Sequence, residues 1–238
     1  MSWFIGVDVG GTFTDFHCLN ELTGEAFVHK AQSTPDNPAR AIVNGVQAVA
    51  ERLGIDFAQL RRLAHGTTVA TNALITRRLP RTAMVCTAGF RDVIEIRRAN
   101  KEDLWDTYKD VVRPYVPRRD RLTVPERIDA QGRVVTPLDE AAARSVARTL
   151  RRREVAAVAV CFMNAYVNGA HERRMKAILE EELPGVPVSI SSGVLPEIFE
   201  HERFSTTVVN AALSPVVVDY TTRLGERLRD GGYARDLL

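Results

Sequence analysis

The stretch that most constrains this chain is its start, Trp3-Phe4-Ile5-Gly6-Val7-Asp8-Val9-Gly10-Gly11-Thr12-Phe13-Thr14-Asp15. Trp3 to Val9 is an apolar run of strand length and reads as a buried strand carrying one acid, Asp8. The paired glycines permit a tight turn and a close approach of backbone to a ligand. From Phe13 to Leu19 apolar and polar residues alternate, so the chain returns as a second strand. This excludes two common phosphate motifs. A dinucleotide fingerprint and a P-loop both pass from glycines into a helix, and the P-loop also needs Gly-Lys-Ser/Thr. Here the glycines form a hairpin tip, with the Thr12 and Thr14 hydroxyls beside exposed amides, and such a tip can hold a phosphate. Asp8, at the end of the first strand, is placed to hold a magnesium ion through water. The plainer alternative is an ordinary Gly-Gly hairpin with a buried acid. Burying an acid that has no partner is costly, which favours the phosphate reading.

A second polar cluster follows a short strand at Leu63 to His65. Thr67, Thr68, Thr71 and Asn72 lie within six residues at an expected strand-to-helix junction. Helix N-termini favour such side chains and attract anions. One such residue is enough to cap a helix, and four plus His65 point to a ligand-facing role. His65 either orients substrate or hydrogen-bonds within its loop.

The remaining pattern is that of an α/β chain. Glu25 to Gln32 is expected as a third strand. Asn37-Pro38 then reads as N-cap and first helical residue, and Gly54 ends that helix. Thr82 to Thr87 is a strand, and Phe90 to Arg97 a short helix or turn. Arg91, Asp92, Glu95 and Arg97 there fit a cleft lining or a salt-bridged surface helix equally well. Residues 99 to about 125 read as a long ordered loop whose Trp105, Tyr108 and Tyr115 should pack onto something. Arg121–Asp129 and Arg133–Val135 flank a Gly-containing turn as a hairpin. Thr136-Pro137 is expected to open a helix that Arg151 to Arg153 close. Val155 to Phe162 is a strand buried on both faces, and Asn168 caps a helix that Pro184-Gly185 ends. Val186 to Ser191 is a further strand. The order helix–strand–helix–strand implies parallel pairing. Two helices, Glu197–Leu213 and Pro215–Leu228, are expected at the end.

With 238 residues and 45% hydrophobic content the chain can fill one large core or two small ones. A net charge of +2 does not call for an acidic polymer as partner. The arginine pairs and triplets are dispersed, as on solvated helix faces, so no nucleic-acid partner is expected. Cys18, Cys86 and Cys161 lie in apolar runs without CxxC spacing and read as buried, reduced thiols. The sequence carries no leader-like start and no apolar run of the ~20 residues that a membrane span needs, so a cytoplasmic protein with no membrane partner is expected.

Four stretches carry a family resemblance. Asp8-Val9-Gly10-Gly11-Thr12-Phe13-Thr14-Asp15 and His65-Gly66-Thr67-Thr68-Val69-Ala70-Thr71-Asn72 resemble two signatures of the hydantoinase A/5-oxoprolinase family. Gly89-Phe90-Arg91-Asp92-Val93-Ile94-Glu95-Ile96, and Leu195-Pro196-Glu197-Ile198 followed by Ser205-Thr206-Thr207-Val208-Val209-Asn210, agree with it in the same order. The resemblance implies the α/β fold of actin-like ATPases, as in acetate and sugar kinases: the N-terminal half, with a mixed sheet flanked by helices. Residues 1–196 would form the N-terminal domain, and 197–238 the truncated helical start of the next, catalytic domain.

The resemblance implies an ATP- and magnesium-dependent hydrolase, similar to N-methylhydantoinase or 5-oxoprolinase, that activates and opens a small cyclic amide. Asp8 would hold magnesium. Gly10, Gly11, Thr12, Thr14 and Thr68 would bind ATP, while Asp8, Thr12, His65, Thr67 and Asn72 would serve catalysis. Its partners would be the C-terminal half of the same type of protein and a hydantoinase B-type subunit. Val9, Phe199 and His201 depart from the family pattern. The family's second Gly-rich hairpin is not in these residues, so the isolated chain is expected to fold, bind ATP weakly and not turn it over. Two alternatives stand beside this: a subunit of an ATP-dependent ketone carboxylase, and a non-catalytic nucleotide-binding or docking half.

Overall fold

In β1 (Trp3–Val9) the side chains of Ile5, Val7 and Val9 are buried while Asp8 between them is exposed. The strand therefore has one inward and one outward face, and the expectation of a buried acid is corrected. Gly6 and Asp8 occupy one phase of the alternation and the branched residues the other. The computed structural model describes residues 3–34, 38–99, 103, 105–109, 112–233 and 235–238.

The chain divides into two units, Met1–Thr76 with Val216–Leu238, and Arg77–Pro215. In the first, β2 (Phe13–Asn20) pairs antiparallel with β1, and β3 (Ala26–Gln32) antiparallel with β2. Helix α1 (Pro38–Leu53) crosses over to β4 (Leu60–Thr67), which lies parallel to β1, giving the order β3-β2-β1-β4. Pro38 is the first helical residue, and Asn37, its expected cap, lies outside the described residues. Ile42, Val46 and Val49 of α1 pack on the inward face of the sheet with Phe16. Gly45 permits this packing, because a Cβ there would stand 2.0 Å from Phe16 Cζ. Helix α2 (Val69–Ile75) follows β4 directly.

In the second unit β5 (Thr82–Thr87) leads through α3 (Val93–Ile96) to β6 (Arg121–Val124), which pairs parallel with β5. Then come the short antiparallel pair β7 (Arg127–Ile128) and β8 (Val134–Thr136), α4 (Glu140–Arg152), β9 (Ala157–Cys161), α5 (Ala170–Glu182), β10 (Val188–Ile190) and α6 (Ser191–Val194). The main sheet has the order β10-β9-β5-β6, all parallel, and every residue of β5 and β9 is buried. The expected parallel layer is present. All three cysteines are buried and free. Among the described residues no helix is long and apolar enough to cross a membrane.

Several boundaries depart from expectation for identifiable reasons. The first arm of the expected hairpin splits at Pro125, which has no N–H to donate to a ladder; β6 joins the parallel sheet and only β7 pairs with β8. Helix α4 is capped by Asp139, whose Oδ1 accepts from the Ala142 N–H at 2.9 Å, and Thr136 ends β8 instead. Gly169 holds the cap position of α5, while Asn168 accepts from Ala170 N–H and donates to the Gly132 carbonyl. The two expected terminal helices are one, α7 (Glu200–Asp230), with Pro215 inside it. An internal proline costs about 3 kcal/mol. Burial offsets this on both sides of it, with Phe204, Val208 and Ala211 in one core and Tyr220, Leu224 and Leu228 in another. Trp105 and Tyr108 are 93% and 96% exposed and are not packed against the described residues, contrary to expectation; residues 100–102, 104, 110 and 111 of that stretch lie outside the described residues.

Candidate functional site

The hairpin tip and the β4–α2 junction meet at the carboxyl ends of the parallel strands β1 and β4, where Val9 is in register with Thr67. Carboxyl ends of parallel strands are where open α/β sheets bind ligands. At the tip, the Gly10 N–H donates to the Phe13 carbonyl at 3.0 Å. A Cβ on Gly10 would stand 2.9 Å from that same oxygen, so only glycine fits this turn. Gly11 and Thr12 are exposed, and no hydrogen bond occupies their N–H groups among the described residues.

The tip is braced by Ser33, a residue the sequence pattern did not single out. Its N–H donates to the Thr12 carbonyl at 2.9 Å and its hydroxyl to the Gly10 carbonyl at 2.8 Å. The Thr14 hydroxyl lies 3.0 Å from Ser33 Oγ, and Thr14 is fully buried. Thr14 therefore supports the tip from the inward face and does not line it. The signal for Ser33 was present in the three-strand meander: pairing Phe13 with Gln32 puts the next residue opposite Thr12.

On the outward face Asp8 stands directly opposite Asp15 across the β1–β2 pair. Asp15 is engaged by Lys30 at 3.1 Å. Asp8 has no hydrogen-bond or ion-pair partner among the described residues. Like charges facing each other across a strand pair are destabilising unless something compensates them. An unpartnered carboxylate beside another, next to open amides, suits a hard dication such as magnesium, which takes oxygen ligands and retains water.

At the junction, Thr68 donates its hydroxyl to the Val9 carbonyl at 3.3 Å and accepts from Asn72 Nδ2 at 3.2 Å. Thr67 Oγ1 accepts from the Val69 N–H at 3.2 Å and also interacts with the Tyr220 hydroxyl. Thr68 and Asn72 thus lock α2 to the end of β1, and exposed Thr67 stands beside the tip. His65 is not brought to this cluster. It is in register with inward-facing Val7, one phase away from Asp8, and its ring packs 5.7 Å from Tyr220. Burial pushes its imidazole below the ordinary value, and its backbone N–H donates to the Leu238 carbonyl at 2.8 Å.

The second unit contains groups that the sequence pattern did not reveal. Glu172, fully buried, accepts from Phe162 N–H, the Ser191 hydroxyl and Ser192 N–H at 2.6–2.8 Å. Glu126, also buried, is held by the Thr87 hydroxyl and by His171 Nδ1 at 2.7 Å. Asp92 and Glu95, left open between cleft and surface pairing, engage Arg118 and fully buried Arg121.

Residues 4–183 match the family model of the hydantoinase/oxoprolinase N-terminal region. The chain is 40% identical over 226 residues to the alpha chain of the caprolactamase of Pseudomonas jessenii, covering 92% of this chain and 32% of that protein. It is 34% identical over 248 residues to the acetophenone carboxylase gamma subunit of Aromatoleum aromaticum, covering 96% of this chain and 33% of that protein. The crystal structure of the ATP-dependent caprolactamase from Pseudomonas jessenii superposes with a TM-score of 0.90 at 38% identity, covering 98% of this chain and 35% of that one. The chain thus spans about a third of the length of the curated relatives it matches. Its architecture is the α/β, actin-like ATPase type that the four motifs implied, with mixed and parallel sheets flanked by helices. On the match of its sequence and the agreement of its fold, the chain belongs to the hydantoinase/oxoprolinase family, in that family's N-terminal region.

Proposed function

We propose that this chain is the phosphate-holding N-terminal part of an ATP-dependent hydrolase that opens a cyclic amide. The observation that carries the reading is the braced tip: open amides at Gly11 and Thr12, with partnerless Asp8 one strand-end away. In the reaction the γ-phosphoryl group of ATP passes to the ring carbonyl oxygen. Water then adds to the activated carbon and the C–N bond breaks, the nitrogen taking a proton; a second water splits the acyl phosphate so formed into phosphate and the ring-opened acid. Transfer of this kind depends on positioning and charge stabilisation more than on covalent help.

The Gly11 and Thr12 N–H groups and the Thr12 hydroxyl donate to the phosphate, and Thr67 adjoins it at the β4–α2 junction. Gly10 shapes the turn, Ser33 and Thr14 hold it rigid, and Thr68 with Asn72 fixes the junction. Asp8 holds magnesium, which when bound neutralises charge on the phosphates. His65 supports β4 from the inward face. The C-terminal part of the same type of protein and a hydantoinase B-type subunit complete the assembly, in keeping with relatives that are themselves named as subunits. Residues 197–238 belong to the region that follows the N-terminal domain.

The acetophenone carboxylase relative supports a second reading, in which the same phosphate site activates a ketone for carboxylation. Phosphate release from the full-length protein, measured with hydantoins, 5-oxoproline, other lactams and ketones, with and without bicarbonate, decides between the two. For either substrate, Asp8→Ala is expected to abolish ATP turnover while the circular dichroism spectrum is retained. Wild-type turnover in that variant removes Asp8 from the mechanism.

A further inference from the structure

A second cluster of preorganised cations lies in the Arg77–Pro215 unit, where β5, β6 and β9 begin and so at the opposite end of those strands from Thr87 and Glu126. A cavity of about 370 Å³ there is lined by Arg77, Arg81, Arg119, Tyr115, Thr82 and Asp120, among others. Its floor is Asp120, whose side chain is 1% exposed. Arg81 binds that carboxylate through Nε at 3.2 Å and Nη2 at 2.9 Å, and donates Nη1 to the Arg153 carbonyl. Arg153 reaches Asp120 at 3.3 Å, and Arg119 approaches it at 3.8 Å. One buried carboxylate therefore holds two guanidinium groups and attracts a third.

Arg77 adds a fourth cation. Its ring contact with Tyr115 is 4.9 Å, and it donates Nη2 to the Arg113 carbonyl at 2.8 Å, leaving the rest of its fork open among the described residues. Its backbone sits at φ 53°, a conformation that side-chain-bearing residues adopt at a cost. Glu154 also attracts Arg81. Arg77, Arg81 and Arg119 thus line one concave surface, with Asp120 beneath them. Arginine forks match phosphate oxygens in pairs, and donors already held in place lose less freedom on binding.

We propose that this cavity binds the phosphate group of a small anionic molecule, at a site separate from the hairpin tip. The inference does not rest on the proposed hydrolase reaction. Calorimetric titration of the intact protein with pyrophosphate, at low salt and with EDTA present, tests it. Saturable binding is expected, weakened about tenfold or more in Arg77→Gln/Arg119→Gln, since charge-assisted bonds are the strong ones. A partial loss is expected in Arg119→Gln alone, whose side chain is 77% exposed and whose removal spares the fold. The charge-matched Arg148→Gln/Lys176→Gln should bind as the wild type does. No saturable binding overturns the proposal. Equal weakening in the charge-matched variant, which would mean diffuse attraction only, overturns it as well.

Discussion

The first sheet buries alternate residues of β1 and β2 and leaves Asp8, Asp15 and His17 on an outward face. The second buries every residue of β5 and β9, so acids near its strand ends, Glu126 and Glu172, are sealed inside. The same residue type therefore has opposite obligations in the two units. An exposed carboxylate needs no internal partner and stays available to a ligand. A buried one must be satisfied by donors of its own protein, and Glu172 engages Phe162, Ser191 and Ser192 for that purpose. Accessible chemistry thus concentrates where a sheet keeps a wet face, and polar groups in the fully covered sheet become structural ties.

Three measurements can break or sharpen this contrast. The largest effect is expected from Phe16→Ala, which removes the ring between α1 and the first sheet and costs about 3–5 kcal/mol. Hydrogen exchange should show protection lost across β1–β4 and retained in β5, β9 and β10. Equal loss in both would mean that the two units open as one.

Ser33→Ala comes next. It takes two hydroxyl contacts from the tip and leaves the buried Thr14 hydroxyl without its partner, a cost of about 1–3 kcal/mol. Urea midpoints read the stability loss. Phosphate release by the full-length protein should fall alongside, and unchanged turnover would show that the tip needs no brace.

The smallest effect tests the covered sheet. Burial raises the Glu172 carboxyl above its ordinary value of 4.5, against the opposing hydrogen bonds. The folded state then holds that proton more tightly than the unfolded chain. Its contribution is full below the unfolded pKa and declines as pH rises through the folded one. Glu172→Gln lacks this decline, so the stability advantage of the wild type over the variant should shrink as pH rises above the ordinary carboxylate value. An advantage that grows with pH in denaturant unfolding would show that the three donors outweigh burial.

Local chemistry made much of this legible. The Gly-Gly turn, the apolar runs at Thr82–Thr87 and Val155–Phe162, and the helix–strand order are set by nearest neighbours and by period, so the sequence alone determined the hairpin, the parallel layer and the four family stretches. The tertiary structure decided which side of each strand faced the core. Period two separates Asp8 from Val7 and Val9, but only the packing of α1 on one face made Asp8 wet and Thr14 buried. It also turned His65 away from Asp8, recruited Ser33 from the end of β3, and carried α7 through Pro215. Each of these depends on contacts between residues far apart in the chain, whose energies exceed local preference.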